Sequence, residues 1–113
     1  MSAKEGTSQA FGVFQLAMAR RAALRLQAED WAAKTQSVVE ARCTEVALRD
    51  GVTEVKIEHE LLPNRNAGRA EALLYLTALA DVLVKRGYHV EVQGERYLYL
   101  HVSFGHFGEN TAP

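Results

Sequence analysis

The sequence predicts an α+β domain in which a long N-terminal helix precedes a β-α-β-β unit. The three strands form a mixed sheet and the helices pack on one of its faces. Three observations support this prediction. Residues 13–50 contain no glycine or proline, the next segment alternates apolar and charged residues, and the last two apolar runs are separated by a short loop that contains glycine.

Length and composition predict one domain over residues 1–113. The chain is 48% hydrophobic and 24% charged, as globular proteins are. Its net charge of −1 provides no overall field that would attract nucleic acid or an anionic membrane. The single cysteine excludes an internal disulfide, and no segment has the pattern of a signal peptide or a membrane span. We therefore expect a soluble cytoplasmic protein.

The first helix is predicted over residues 8–50. Ser8 is a suitable N-cap, and Gly51 is a suitable residue to end the helix. Steps of three and four residues trace an apolar stripe with polar interruptions. Its members are Phe14, Ala17, Arg21, Leu24, Ala28, Trp31, Thr35, Val38, Arg42 and Glu45.

Residues 52–104 are predicted to form the β-α-β-β unit. The first strand alternates Val55, Ile57, His59 and Leu61 with charged residues. A second helix runs from a cap at Asn66 to about Arg86, and it is apolar over more than half of its circumference, so it needs two neighbours. A right-handed crossover makes the first two strands parallel, and the third strand can insert between them.

The last two strands are predicted to form a hairpin over residues 88–93 and 97–104. A three-residue loop would pair Val92 with Leu98 and Val90 with Leu100, which places the apolar residues on one side. The same register places His89 opposite His101. Residues 105–113 lack periodicity and are predicted to be a loose tail.

The length of the first helix is the main functional signal. A helix over residues 8–49 would be about 63 Å long, whereas a compact domain of this size is roughly 35 Å across. One alternative is a break near Ser37, which has capping-box spacing to Glu40. We favour the other, in which the N-terminal half projects and makes a homo-oligomer through uncovered residues. These predicted contact residues are Phe11, Phe14, Leu24 and Trp31.

A second contact surface is predicted on the polar face of the sheet. Tyr97 and Tyr99 alternate with apolar residues there, and we expect them to contact another protein. Stacking on bases is less favoured, because the neighbouring strand is rich in carboxylates that repel phosphate.

Two other kinds of site are weaker candidates. Arg20, Arg21 and Arg25 form a basic cluster that suits a nucleic-acid-binding regulator, although Glu29 and Asp30 favour local ion pairs instead. His89 and His101 are weak candidates for metal ligands, in a metal-dependent enzyme that is the most distant alternative.

The sequence contains none of the common catalytic or phosphate-binding motifs. We therefore expect no catalytic residues, no metal and no cofactor. The favoured interpretation is a non-catalytic interaction or assembly module of the structural or inhibitory adaptor type.

Overall fold

The structure, a computed structural model, describes residues 3–64 and 66–109, with side chains described for residues 9–58, 60–64 and 66–107. The elements in chain order are helix α1 (Ala3–Asp50), strand β1 (Glu54–Ile57), a 3-10 turn (His59–Leu61), helix α2 (Arg69–Lys85), strands β2 (His89–Gln93) and β3 (Tyr99–Ser103), and the short helix α3 (His106–Glu109). The predicted α+β fold class and β-α-β-β order are confirmed.

Helix α1 is continuous over 48 residues. The Ser37 hydroxyl donates a hydrogen bond to the Lys34 carbonyl at 3.4 Å, within the helix, instead of capping a new one. The alternative of a break near residue 37 is therefore wrong. At 1.5 Å per residue the helix is about 72 Å long, which equals the longest dimension of the molecule, 72 × 31 × 25 Å. Gly51 ends it with a φ of 66°, in the left-handed region that favours glycine.

The sheet has the strand order β1-β3-β2. Strand β3 is antiparallel to both neighbours, so β1 and β2 run in the same direction and are joined by a crossover through α2. The predicted insertion of the third strand between the first two is confirmed. Because β3 separates the two parallel strands, each pair of neighbouring strands in this sheet is antiparallel.

The register of the β2–β3 hairpin differs from the prediction by two residues. Val92 pairs with Leu100 and Val90 with Val102, so residues 94–98 form the loop. Gly94 has a φ of 109°, and the Tyr97 carbonyl lies where a side chain at Gly94 would stand. This tight turn removes Tyr97 from the strand. A shift by two keeps the alternation, so the apolar residues still share one side.

Strand β1 and helix α2 are both shorter than predicted. Strand β1 ends at Ile57, and Leu61 lies in the 3-10 turn. The Asn64 side chain accepts a hydrogen bond from the Asn66 backbone N–H at 3.0 Å, which forms a turn before the helix. The cap of α2 is therefore Gly68, two residues after the predicted cap at Asn66.

Helix α2 packs against α1 and against the sheet, and α1 also contacts strand β1. Helices α1 and α2 run in the same direction, since Tyr75 near the start of α2 contacts Trp31, whereas Arg86 just beyond its end contacts Glu40. The second helix thus has the two neighbours that its apolar circumference requires. The largest fully buried side chains are Val39, Ile57, Leu76, Leu79, Leu83, Leu100 and Val102.

The predicted loose tail is partly structured. Its first part forms the short helix α3, and the His106 ring at the start of α3 stacks on His89 with centroids 3.8 Å apart. The aromatic residues of this segment have a surface to pack on, which a pattern search along the sequence does not detect. Residues 110–113 lie outside the described residues.

The position of α2 in the core predicts the effect of truncating its side chains. Leu79 is fully buried, so Leu79→Ala should lower the free energy of unfolding by about 2–5 kcal/mol through lost burial and a cavity. Urea denaturation measures this change. Leu73 on the same helix is 45% exposed, and Leu73→Ala should cost less than about 1 kcal/mol. Equal losses of unfolding free energy in the two variants would contradict the position of α2 in the core.

Candidate partner-binding surface on the first helix

The N-terminal part of α1 extends beyond the rest of the chain. Among the side chains described from residue 9 onward, the first buried one on α1 is Ala28, and buried positions continue to Cys43 where α2 covers the helix. All side chains from Val13 to Ala23 are exposed. We refer to residues 9–23 as the projecting segment.

The projecting segment is apolar on several sides. Phe11 and Phe14 are 57% and 55% exposed, with their rings stacked at a centroid distance of 6.4 Å. Leu16 is 72% exposed, and at 100° per residue it lies on a different side of the helix from Phe14. Val13 and Met18 are also exposed. A helix that is apolar around much of its circumference is typical of one enclosed by other helices.

Two of the four predicted contact residues lie outside the projecting segment. Leu24 is half-buried at its boundary. The Trp31 indole N–H donates to the Leu61 carbonyl at 3.0 Å, and its ring meets the Tyr75 ring edge-on at 5.4 Å. The prediction that Trp31 is uncovered is wrong, because the 3-10 turn after β1 brings the Leu61 carbonyl to the indole.

The predicted arginine cluster lies on and beside the projecting segment. Arg20, Arg21 and Arg25 are all exposed, and residues 9–28 contain no aspartate or glutamate. The predicted local ion pairs do not involve Asp30, which instead pairs with Lys34 at 2.9 Å. At 100° per residue, Arg21 and Arg25 point in similar directions and Arg20 points away from both. The segment is thus both apolar and basic.

A cavity of about 700 Å³ lies where α1 meets the start of α2. We call it the notch. Its lining is mainly apolar, and two of the arginines border it. The residues that line it include Met18, Arg21, Ala22, Leu24, Ala70 and Leu74. The notch continues the exposed surface of the projecting segment toward the globular part of the chain.

The two tyrosines predicted as a contact surface lie on different elements. Tyr99 is half-buried in β3, where its hydroxyl donates to the Gln93 side chain at 2.8 Å and Lys56 Nζ lies 4.2 Å from its ring centroid. Tyr97 is exposed in the hairpin loop, with the Arg96 guanidinium 5.7 Å from its ring centroid. Only Tyr99 lies on a strand of the sheet, and Tyr97 lies in the loop beside the open face.

The two candidate metal ligands are not opposite one another. Because of the shifted register, His89 pairs with Ser103. His101 pairs with Glu91 and Lys56, and its Nε2 lies 3.1 Å from a carboxylate oxygen of Glu54. Within the parts of the chain whose side chains are described, no group of three or more His, Cys, Asp or Glu residues is placed to hold a metal ion.

A second cavity, of about 400 Å³, lies beside the C-terminal part of α1. Cys43, Leu48, Tyr88 and Phe107 are among the residues that line it. Burial raises the pKa of the Cys43 thiol, and the nearby Glu40 carboxylate raises it further. A protonated thiol is a weak nucleophile, so the cavity offers an apolar surface and no reactive group at Cys43.

Sequence reasoning missed a polar cluster around Glu40. Its carboxylate accepts hydrogen bonds from the Gln36 amide at 3.2 Å, the Arg86 guanidinium at 3.1 Å and the Tyr88 hydroxyl at 3.4 Å. Partial burial opposes ionisation, but these donors outweigh it and lower the pKa of Glu40. The cluster joins α1 to the end of α2 and the start of β2. Arg86 and Tyr88 lie 46 and 48 residues from Glu40 in the sequence, and no local pattern marks these two contacts.

Comparison of the chain with known protein families, curated proteins and solved structures finds no significant match. No helix in the described part of the chain combines the length and the apolar composition needed to cross a membrane.

The Glu40 cluster predicts a pH dependence of stability. A lowered pKa in the folded state means that the ionised carboxylate stabilises the fold above the unfolded pKa of about 4.3. This contribution is lost as the pH falls through the folded pKa. In Glu40→Gln, the free energy of unfolding should therefore fall less between pH 5 and pH 3 than in the parent protein, as measured by urea denaturation.

A matched control is Glu29→Gln, which removes an exposed carboxylate from the same helix outside the cluster. Between pH 5 and pH 3, its free energy of unfolding should fall by the same amount as that of the parent protein. A Glu40→Gln variant with an unchanged slope would show that the cluster contributes nothing to acid sensitivity.

Proposed function

We propose that this protein is a non-catalytic interaction and assembly module that forms homo-oligomers through the projecting segment of α1. The observation that carries the proposal is the exposed aromatic pair Phe11 and Phe14, on a part of α1 that no other described part of the chain covers. Single apolar residues on a surface are ordinary, but a contiguous apolar surface usually marks an interface.

The energetics favour contacts along the whole segment. Full burial of a phenylalanine contributes about 1.5–3 kcal/mol, so covering the exposed halves of Phe11 and Phe14 contributes roughly 2 kcal/mol per chain. Association costs at least about 4 kcal/mol in lost translation and rotation. Burial of Val13, Leu16 and Met18 supplies further apolar area. A helical segment as short as the projecting segment is also marginal in water when nothing packs on it, so a partner that covers it would stabilise its helical conformation.

The adaptor role requires a second surface for a different protein. The open face of the sheet lies opposite the helices and carries Tyr99, with the exposed Tyr97 in the adjoining loop. Aromatic residues with polar tips are common in protein interfaces. We assign this face to the second partner.

Phe14→Glu should dissociate the oligomer, because it places a charge in the centre of the apolar contact. Light scattering coupled to size exclusion should then give the monomer mass of 12.5 kDa, against a multiple of it for the parent protein. Circular dichroism should still show a folded protein, since Phe14 lies outside the core, with any loss of helix confined to the projecting segment.

The matched control is Leu48→Glu, which makes the same kind of change on α1 at a position that is 84% exposed and outside the projecting segment. It should keep the parent mass. A parent protein that is monomeric at micromolar concentration, or a Phe14→Glu variant of unchanged mass, would refute the proposal.

A second candidate function is nucleic-acid binding through Arg20, Arg21 and Arg25. The observation that favours it is the exposure of all three side chains on a stretch of twenty residues, 9–28, without an acidic residue. Phosphate contacts of this kind need no overall positive charge. The chain's net charge of −1 means that such binding would be local and weak.

Replacing Arg20, Arg21 and Arg25 together by alanine tests this candidate. If each contacts a phosphate, fluorescence anisotropy with a short DNA duplex should show binding whose logarithmic salt slope falls by about 3 in the variant. The control replaces Lys34, Arg42 and Arg49 on the same helix, which removes the same charge. Absence of binding by the parent protein at low salt would eliminate the candidate.

A further inference from the structure

We infer that the notch binds a short helix of a different protein, one that carries carboxylates among its apolar residues. This inference goes beyond the proposed function, which assigns Phe11 and Phe14 to the homo-oligomer and the open face of the sheet to another protein. Arg21 in the notch lies about two turns of α1 beyond Phe14, so the two contacts use neighbouring parts of the helix.

The notch lies on the side of α1 that α2 covers further along. At 100° per residue, Arg21 lies within about 20° of Ala28 and Ala32 around the helix axis. Ala28 and Ala32 are buried, whereas Arg21 is exposed where the notch precedes α2. A helix placed in the notch would therefore continue the line of α2 along α1, and this position is free.

Two arginines lie in the centre of this free face. Arg21 and Arg25 are about 40° apart around the axis, and neither forms an ion pair with another described residue. A protein that covered them with apolar side chains alone would bury two charges without partners, which is strongly unfavourable. Carboxylates on the partner remove this penalty, because arginine binds a carboxylate through two parallel hydrogen bonds.

The rest of the lining is mainly apolar, so the partner also needs apolar side chains. Leu24 and Leu74 are half-buried in the notch, and Met18 at its edge is 37% exposed. A methionine side chain adapts to partners of different shape. Apolar anchors with acidic residues beside them are the pattern of an amphipathic helix that binds in a groove.

The charge of the notch favours this occupant over a second copy and over nucleic acid. Of the described residues that line it, only Glu71 is acidic, so two arginines and one glutamate give a formal charge of +1. Residues 9–28 contain no aspartate or glutamate, so the projecting segment of a second copy would bring arginines to arginines. Glu71 and the apolar lining disfavour a phosphate backbone.

The size of the notch predicts weak and reversible binding. Residues 18–25 of α1 span about 10 Å, whereas a standard stable interface buries about 800 Å² per partner. We therefore expect a dissociation constant of roughly 1–100 μM for a helix that occupies the notch.

Two synthetic peptides of about 14 residues test the ligand chemistry. Each is held helical by a side-chain cross-link and has leucines along one side, flanked by glutamates in the acidic peptide and by lysines in the control. Fluorescence anisotropy with the full chain should show that the acidic peptide binds at least about tenfold more tightly. Equal affinities, or no binding of the acidic peptide at about 1 mM, would overturn the inference.

Arg21→Glu should reverse this preference, because it changes the formal charge of the lining from +1 to −1. Arg21 is exposed, so the variant should fold, which circular dichroism checks, and Arg25→Glu makes the same change of charge independently. The matched control is Arg42→Glu, an exposed position about 25 Å along α1 from Arg25, which should keep the parent preference. If both notch variants also keep it, the arginines do not select the ligand and the inference is wrong.

Methyl NMR locates the bound peptide. The chain has two methionines, Met1 and Met18, so methyl-labelled methionine gives two signals, which Met18→Leu assigns. The acidic peptide should shift the Met18 signal, and binding without that shift would place the peptide elsewhere and overturn the inference. A short DNA duplex that shifts the Met18 signal when the acidic peptide does not bind would assign the notch to nucleic acid instead. Light scattering without peptide tests the homo-oligomer separately.

Discussion

The apolar face of α1 is longer than anything in the same chain that can pack against it. Helix α2 has 17 residues and α1 has 48, so the contact between them ends while the longer helix continues. Strand β1 also contacts α1, but the side chains of residues 13–23 are left exposed. Phe11 and Phe14 are exposed because none of the described helices and strands reaches them, and the proposed function follows from that difference in length.

The globular part fixes the direction in which the projecting segment leaves the protein. Trp31 joins α1 to Leu61 and Tyr75, and Glu40 joins it to Arg86 and Tyr88. These two contact points lie about two and a half turns apart along the helix. Two separated attachments to a packed core restrain the axis of α1 more than one would. The aromatic pair is thus presented in a defined direction before any partner arrives, which lowers the entropy cost of binding.

Periodicity and handedness were sufficient to predict the fold, and length alone predicted that Phe11 and Phe14 are exposed. The right-handed crossover and the hairpin were compatible with the order β1-β3-β2 but did not determine it. The sequence patterns did not predict the features that depend on a single backbone conformation or on a contact between residues far apart in the sequence. The turn at Gly94 moved the hairpin register by two residues and separated His89 from His101. The Leu61 carbonyl, thirty residues from Trp31 in the sequence, accepts a hydrogen bond from its indole. Two of the donors to Glu40, Arg86 and Tyr88, lie outside α1, and no local pattern connects them to it.

An unbroken α1 has a mechanical consequence. Residues 13–50 contain no glycine or proline, so this part of the helix has no built-in hinge between the globule and the aromatic pair. About 15 Å of helix separates Leu24 from Phe14, and a tilt of the globule by about 10° moves Phe14 by roughly 3 Å. This part of α1 therefore moves as one rigid segment with the globule, and a partner bound at Phe14 would rotate together with the sheet.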